Sequence, residues 1–278
     1  MWIAKGHNKG AVMAHVSSDP LPGFTTLAAM KSVAFSLALV SAAAARTITV
    51  YNACPFTIWP AMYTNAGGLP AHARGWSAAA WSTVTFDVPA KWNGRIWGRR
   101  NCDFSKNPGP NSCLDGGCNG GLECATTGGT GVPPATLAEF NLNADGTDWY
   151  DVSLVDGYNL PMRISNNVNC HVADCPVDLG PNCPSELKGP FDSSGFPVGC
   201  KSACYIDALA GRAGDSPNCC SGSHNTPATC PPSGVSHYSY FKNNCPNSYA
   251  YAYDESSGTA LWTCPASKAA HYTITFCP

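Results

Sequence analysis

The chain has 278 residues, among them 16 Cys, 27 Gly and 23 Pro, with only 12% charged residues and a formal net charge of −2. So many cysteines argue against a reducing compartment, so little charge against a disordered chain, and Gly and Pro at about 18% together against a helical bundle or coiled coil. An even, dispersed cysteine set points to eight disulfides formed in an oxidising environment, and 44% hydrophobic residues supply a core that the disulfides reinforce.

Residues 30–45 read MKSVAFSLALVSAAAA: an initiator-like Met30, a basic Lys31, an apolar run, then small residues from Ala42 to Ala45. These are the three parts of a secretory signal peptide, and the run is too short to span a bilayer. Residues 1–29 carry no periodicity and no Cys; they are read as an over-extended start with Met30 the initiator, the alternative being an unusually long n-region of the signal peptide. The mature protein is expected to begin near Arg46. Lys5, Lys9, Lys31 and Asp19 leave with the first 45 residues, so the remainder carries a net charge of −4. Such a chain is not expected to bind nucleic acid or to hold an integral membrane segment, and no Asn-x-Ser/Thr acceptor occurs. A monomer is expected.

From residue 46 the pattern is β. ARTITVYNAC alternates polar with apolar and β-branched residues, and so do STVTFDV, GRIWGRR, WYDVSLVDGYN, LPMRIS and HYTITFC. Each is short and bounded by Gly, Pro or Asn, as in a sandwich or barrel. Between about Cys170 and Cys264 the texture changes: ten of the 16 Cys fall there, with Pro, Gly and Ser between them. That stretch is predicted to be a loop-rich, disulfide-stapled subdomain with one helix near CKSACYIDALAG.

Several segments, in order, carry a resemblance. NACPFTIWPA, GRIWGR, PPATLAEF, DWYDVSLVDGYNLPM, the vicinal Cys219–Cys220, NNCPNSYAYAYDE and the terminal FCP resemble the thaumatin-like (osmotin-like) family. The resemblance covers essentially all of 46–278, and the count of 16 Cys matches. One signature departs from the family: Cys-x-Thr-Gly-Asp-Cys is replaced by Cys113-Leu114-Asp115-Gly116-Gly117-Cys118, with the acid two residues early. The resemblance implies a mainly β fold, a flattened sandwich of about eleven strands with a disulfide-rich loop domain and a small hairpin lobe. It also selects one pairing among roughly two million for 16 Cys: Cys54–Cys277, Cys102–Cys113, Cys118–Cys124, Cys170–Cys264, Cys175–Cys245, Cys183–Cys200, Cys204–Cys219 and Cys220–Cys230. The first closes a loop worth about 4–5 kcal/mol in the chain-entropy model, less any strain.

The family carries an acidic cleft with an Arg, a Glu and three Asp. Residue by residue, the resemblance places the Arg at Arg95, the Glu at Glu139, and two Asp at Asp151 and Asp156. The third position falls on Glu255, with Asp254 beside it. Asp151 and Asp156 are five apart, so on one regular strand they would face opposite ways; Asp156-Gly157 is a turn signal that would end the strand between them. Glu139 sits among Leu137, Ala138 and Phe140, where a carboxylate is held for a purpose or exposed. Taken singly, each acid reads as a surface charge or a turn cap.

Paired carboxylates are the machinery of glycoside hydrolysis, and the resemblance implies β-1,3-glucan as the substrate class. Glu139 is expected as general acid and Asp156 as base or nucleophile, with Arg95 orienting a carboxylate and Asp151, Asp254 and Glu255 completing the acidic cleft. Tyr158 and Tyr253 are the leading candidates to stack on sugar rings, ahead of Tyr150, Tyr249 and Tyr251; tyrosines at alternating positions more often build core. No cofactor or metal is expected: the His lack His-x-x-x-His spacing, the Gly-rich runs lack a following Lys-Ser/Thr, and Gly-x-Ser-x-Gly is absent. Three functions remain open: a secreted endo-β-1,3-glucanase acting on fungal walls, a non-catalytic antifungal glucan-binding protein, and an inhibitor or ligand module acting on proteins.

Overall fold

In the computed structural model, residues 46–128 and 131–278 are described; the signal-like segment and everything before it lie outside the described residues. Strand β1 (Arg46–Asn52) alternates buried and half-buried positions along its whole length, as its spacing predicts. It pairs in parallel with β12 (Tyr272–Phe276) and antiparallel with β3 (Thr83–Val88). With β9 (Met162–Asn166) and β10 (Ala173–Cys175) they form one sheet, in the order β10-β9-β12-β1-β3.

A second five-stranded sheet has the order β11-β8-β7-β4-β2, from β2 (Ala61–Ala66), β4 (Asn93–Trp97), β7 (Leu137–Ala144), β8 (Thr147–Ser153) and β11 (Trp262–Pro265). The inner faces share one core: Ile48, Val50, Tyr272 and Ile274 from the first sheet meet Ile96, Phe140, Tyr150 and Val152 from the second. Phe140 lies edge-on to Tyr272 with ring centres 5.4 Å apart. The sheets are also joined by charge. Arg46 on β1 pairs with the fully buried Asp148 on β8, and Tyr272 on β12 donates its hydroxyl to the same carboxylate at 2.8 Å. Burying an ion pair costs desolvation, which the added hydrogen bond offsets.

The remaining two strands, β5 (Arg100–Cys102) and β6 (Cys113–Asp115), form a ribbon closed by Cys102–Cys113. Asp115, the displaced acid of the signature, is 1% exposed there; Oδ1 accepts the Arg100 N–H at 3.0 Å and the Asn159 side-chain amide at 2.9 Å. Next to the ribbon, the guanidinium of Arg99 is fully buried and donates to the carbonyls of Trp59, Gly121 and Leu122 at 2.7–2.8 Å. That cradle holds the Cys118–Cys124 loop against the chain entering β2.

No strand occurs between β10 and β11. The predicted helix forms as α1 (Ala203–Leu209), capped by the Ser202 hydroxyl, which accepts the Tyr205 N–H. A second helix, α2 (Tyr238–Asn244), was not expected from the sequence. Its sequence YSYFKNN is aromatic, and its N-cap, His237, offers no side-chain cap. Phe241 docking into the main core holds it in place. The eight disulfides join the pairs that the resemblance implies, and no described cysteine is free.

Candidate functional site

Strands β4, β7 and β8 are neighbours, and their register sets Arg95 opposite Glu139 and Glu139 opposite Asp151. Directly opposed residues have Cβ atoms about 4.5–5.5 Å apart on one face. Since Ile96, Ala138, Phe140 and Val152 point into the core, the alternation sends Arg95, Glu139 and Asp151 to the outer face. Glu139 is thereby flanked by one positive and one negative group. Arg95 Nη2 lies 3.6 Å from Glu139 Oε1, within ion-pair range and longer than a hydrogen bond. The side chains of Arg95 and Glu139 are 17% and 18% exposed, and Asp151 is 6% exposed.

The row continues beyond β8. The Tyr249 N–H donates to the Val152 carbonyl at 2.9 Å, and the Leu154 N–H donates to the Tyr249 carbonyl at 2.8 Å. This lays the segment parallel to β8 with Ser153 opposite Tyr249. Tyr249 is fully buried, and its hydroxyl donates to Glu255 Oε1 at 3.0 Å. Burial, then the negative charges of Asp151 and Glu255, the Glu255 hydrogen bond and the charge of Glu139 hold this phenol far above its ordinary value. Three carboxylates from β7, β8 and the 254–257 turn are therefore gathered about one neutral phenol. From the sequence Tyr249 reads only as a sugar platform. That its hydroxyl serves the carboxylates depends on the path of residues 245–255, which no local signal announces.

Asp156 follows on the turn after β8. Its backbone carbonyl accepts the Ala135 N–H at 3.3 Å, which sets the turn against the entry to β7, the strand carrying Glu139. The strand ends at Ser153, between Asp151 and Asp156, and Gly157 takes a φ of +91°. A Cβ on Gly157 would stand 2.8 Å from the Cys200 carbonyl oxygen, so glycine is required there.

The other expected site residues are engaged elsewhere. Asp254 is fully buried, accepts from Tyr238 Oη and Ala250 N at 2.9 Å, and pairs with Lys242 at 3.0 Å. It anchors the turn that presents the exposed Glu255. Tyr253 packs on the cluster of Cys220, Cys230 and Tyr251, and its hydroxyl donates to the Asn225 carbonyl. Tyr158 is 2% exposed and donates to Asp178 at 3.2 Å, lining a cavity that none of Arg95, Glu139, Asp151 and Glu255 lines. Tyr150 is core, with its hydroxyl on the His171 carbonyl. Among the described residues no group of three or more His, Cys, Asp or Glu is arranged to hold a metal, and no helix is long and apolar enough to cross a membrane.

The arrangement can act as an acid–base pair on a neutral polar substrate, or hold one by its hydroxyls. The profile of the Thaumatin family matches residues 52–278. Pathogenesis-related thaumatin-like protein 3.5 of Cryptomeria japonica is 41% identical over 85% of this chain and 91% of its own length. Thaumatin-like protein 1 of Arabidopsis thaliana is 41% identical over 84% of this chain and 86% of its own. A protein of Prunus avium named glucan endo-1,3-beta-glucosidase is 39% identical over 91% of this chain and 99% of its own.

Proposed function

The chain belongs to the thaumatin family, and on that premise we propose that it is a secreted β-1,3-glucan-binding protein with endo-β-1,3-glucanase activity on fungal cell walls. The observation that carries the reading is the register that sets Glu139 between Arg95 and Asp151 on the outer face, with Glu255 brought alongside by Tyr249. The Prunus avium relative named for this activity supports the substrate class. The eight disulfides and the signal-like segment at 30–45 support secretion.

In this reading Glu139 protonates the glycosidic oxygen, and Asp156 acts as base or nucleophile from the turn after β8. Asp151 stands opposite Glu139 in the strand register, the like-charge neighbour that a general acid in this position calls for. Arg95 orients that carboxyl, and Glu255, pinned by Tyr249, accepts sugar hydroxyls.

One observation favours a second reading, non-catalytic glucan binding. Arg95 at 3.6 Å favours the ionised form of Glu139, and an ionised Glu139 cannot act as acid. Reducing-sugar release from laminarin, with insoluble β-1,3-glucan pull-down run in parallel, decides between them. Under the catalytic reading Glu139→Gln loses on the order of 100-fold in turnover and keeps binding. Binding without release in the parent protein establishes the second reading. Release by Glu139→Gln at the parent rate removes Glu139 from the acid role.

A further inference from the structure

We propose that a cavity of about 310 Å³, lined by Phe56, Arg100, Tyr158, Asp178 and Phe196 among others, is a second carbohydrate site that takes a pyranose ring of a neutral oligosaccharide. None of Arg95, Glu139, Asp151 and Glu255 lines it. It lies where the ribbon strand β5, the chain from Tyr158 to Pro161 and the loops at 178–180 and 196–198 come together.

The walls are aromatic and open. Phe56 and Phe196 are 39% and 48% exposed, which leaves two large apolar faces in water. Polar groups line the same cavity. The Arg100 guanidinium lies 5.1 Å from the Phe56 ring centre, and its Nη1 donates to the Val198 carbonyl at 3.0 Å. Arg100 Nε itself is buried without a hydrogen-bond partner. Asp178 Oδ1 accepts the Tyr158 hydroxyl at 3.2 Å and the Gly180 N–H at 2.9 Å, so that carboxylate is held in one orientation.

Charge balance selects the ligand class. Arg100 is answered by Asp178 in the lining, and both Asp115 and Asp192 lie close enough to feel its charge. There is no positive excess to hold a phosphate or sulfate, and the guanidinium disfavours a cation. A neutral ligand remains, with an apolar face for the phenylalanines and hydroxyl edges for Arg100 and Asp178. A pyranose has both: its C–H faces pack on aromatic rings while its equatorial hydroxyls donate and accept. The volume is at the small end of ligand cavities, room for one or two rings.

The choice of β-1,3-linked glucose as first probe rests on the reading of the acidic row; the neutral-sugar class of this cavity does not. The test is an amide NMR titration of the disulfide-intact protein with laminarihexaose and, separately, cellohexaose. The expected result is saturable shifts at Gly180 and Val198 with at least one probe, retained in Glu139→Gln. Phe196→Ala and Phe56→Ala should each weaken that site about tenfold. Both side chains are partly in solvent, and unchanged amide dispersion elsewhere identifies a folded variant; if one fails to fold, the other decides. Absence of shifts at Gly180 and Val198 with both probes, or unchanged affinity in a folded variant, overturns the proposal. Shifts at the cavity without shifts around Glu139 and Asp151 leave this site standing and remove the reading of the acidic row; the reverse pattern does the opposite.

Discussion

Tyr249 donates its hydroxyl to Glu255 at 3.0 Å from a fully buried ring. The bond ties the 254–257 turn to the chain beside β8, and it fixes where the Glu255 carboxylate stands relative to Glu139 and Asp151. A flexible glutamate is thereby converted into a placed acceptor.

Tyr249→Phe removes only that hydroxyl. Stability should fall by about 1 kcal/mol, the scale of one net hydrogen bond, and binding to insoluble β-1,3-glucan should weaken several-fold as Glu255 gains rotamer freedom. Thermal unfolding and a depletion isotherm measure the two effects. Unchanged glucan affinity in the folded variant would show that Glu255 does not contact the sugar.

Arg46 and Asp148 form the buried charge link between the sheets. Arg46→Met should cost about 3–5 kcal/mol, because it leaves a buried carboxylate without its counter-charge. Adding Asp148→Asn should recover part of that loss, since the neutral amide no longer needs a cation. Urea unfolding of the three variants tests this. A double variant less stable than Arg46→Met would mean that hydrogen bonding to Asp148, rather than charge, dominates.

Burial pushes the Asp115 carboxyl from 3.8 up to about 7, against the opposing effects of Asn159 and Arg100. Its folded form therefore binds a proton that the unfolded chain releases near pH 4. The stabilisation is complete below that pH and is lost as pH rises through about 7. The amplitude is on the order of 3 kcal/mol, or a fall in Tm of roughly 5–10 °C between pH 4.5 and pH 8. Asp115→Asn keeps the Oδ1 acceptor and removes the ionisation, so its Tm should be flatter over this range and higher than the parent's at pH 8. Parallel Tm profiles for the two proteins would refute the assignment.

Thiol titration of the denatured, unreduced protein should return close to zero, because all 16 cysteines are paired. Under partial reduction the stretch between β10 and β11 should lose hydrogen-exchange protection first. It contains no strand, and Cys183–Cys200, Cys204–Cys219 and Cys220–Cys230 are its local cross-links. Earlier loss of protection in β1 and β12 would contradict this order.

Much of the fold was legible in the sequence because β alternation is local. RTITVYN, TVTFDV and YTITF each announce a strand with one buried face, and the cysteine count announces the disulfides. The family motifs supplied the pairing and the acidic set. Other features depended on neighbours far along the chain. Nothing local separates Asp254 from Glu255, yet one is sealed against Lys242 and Tyr238 while the other stands exposed under Tyr249. Tyr158 and Tyr253 read as sugar platforms; that the hydroxyl of the first is held by Asp178 and that the second packs on the cysteine cluster around Tyr251 follows from tertiary packing. Helix α2 lacks a side-chain cap and forms because Phe241 reaches the core. The sequence by itself determined which residues could be strand, staple or charge. Which charges share a face was decided by strand register and by the return of residues 245–255 past β8, because side-chain neighbours in a sheet are set by non-local pairing.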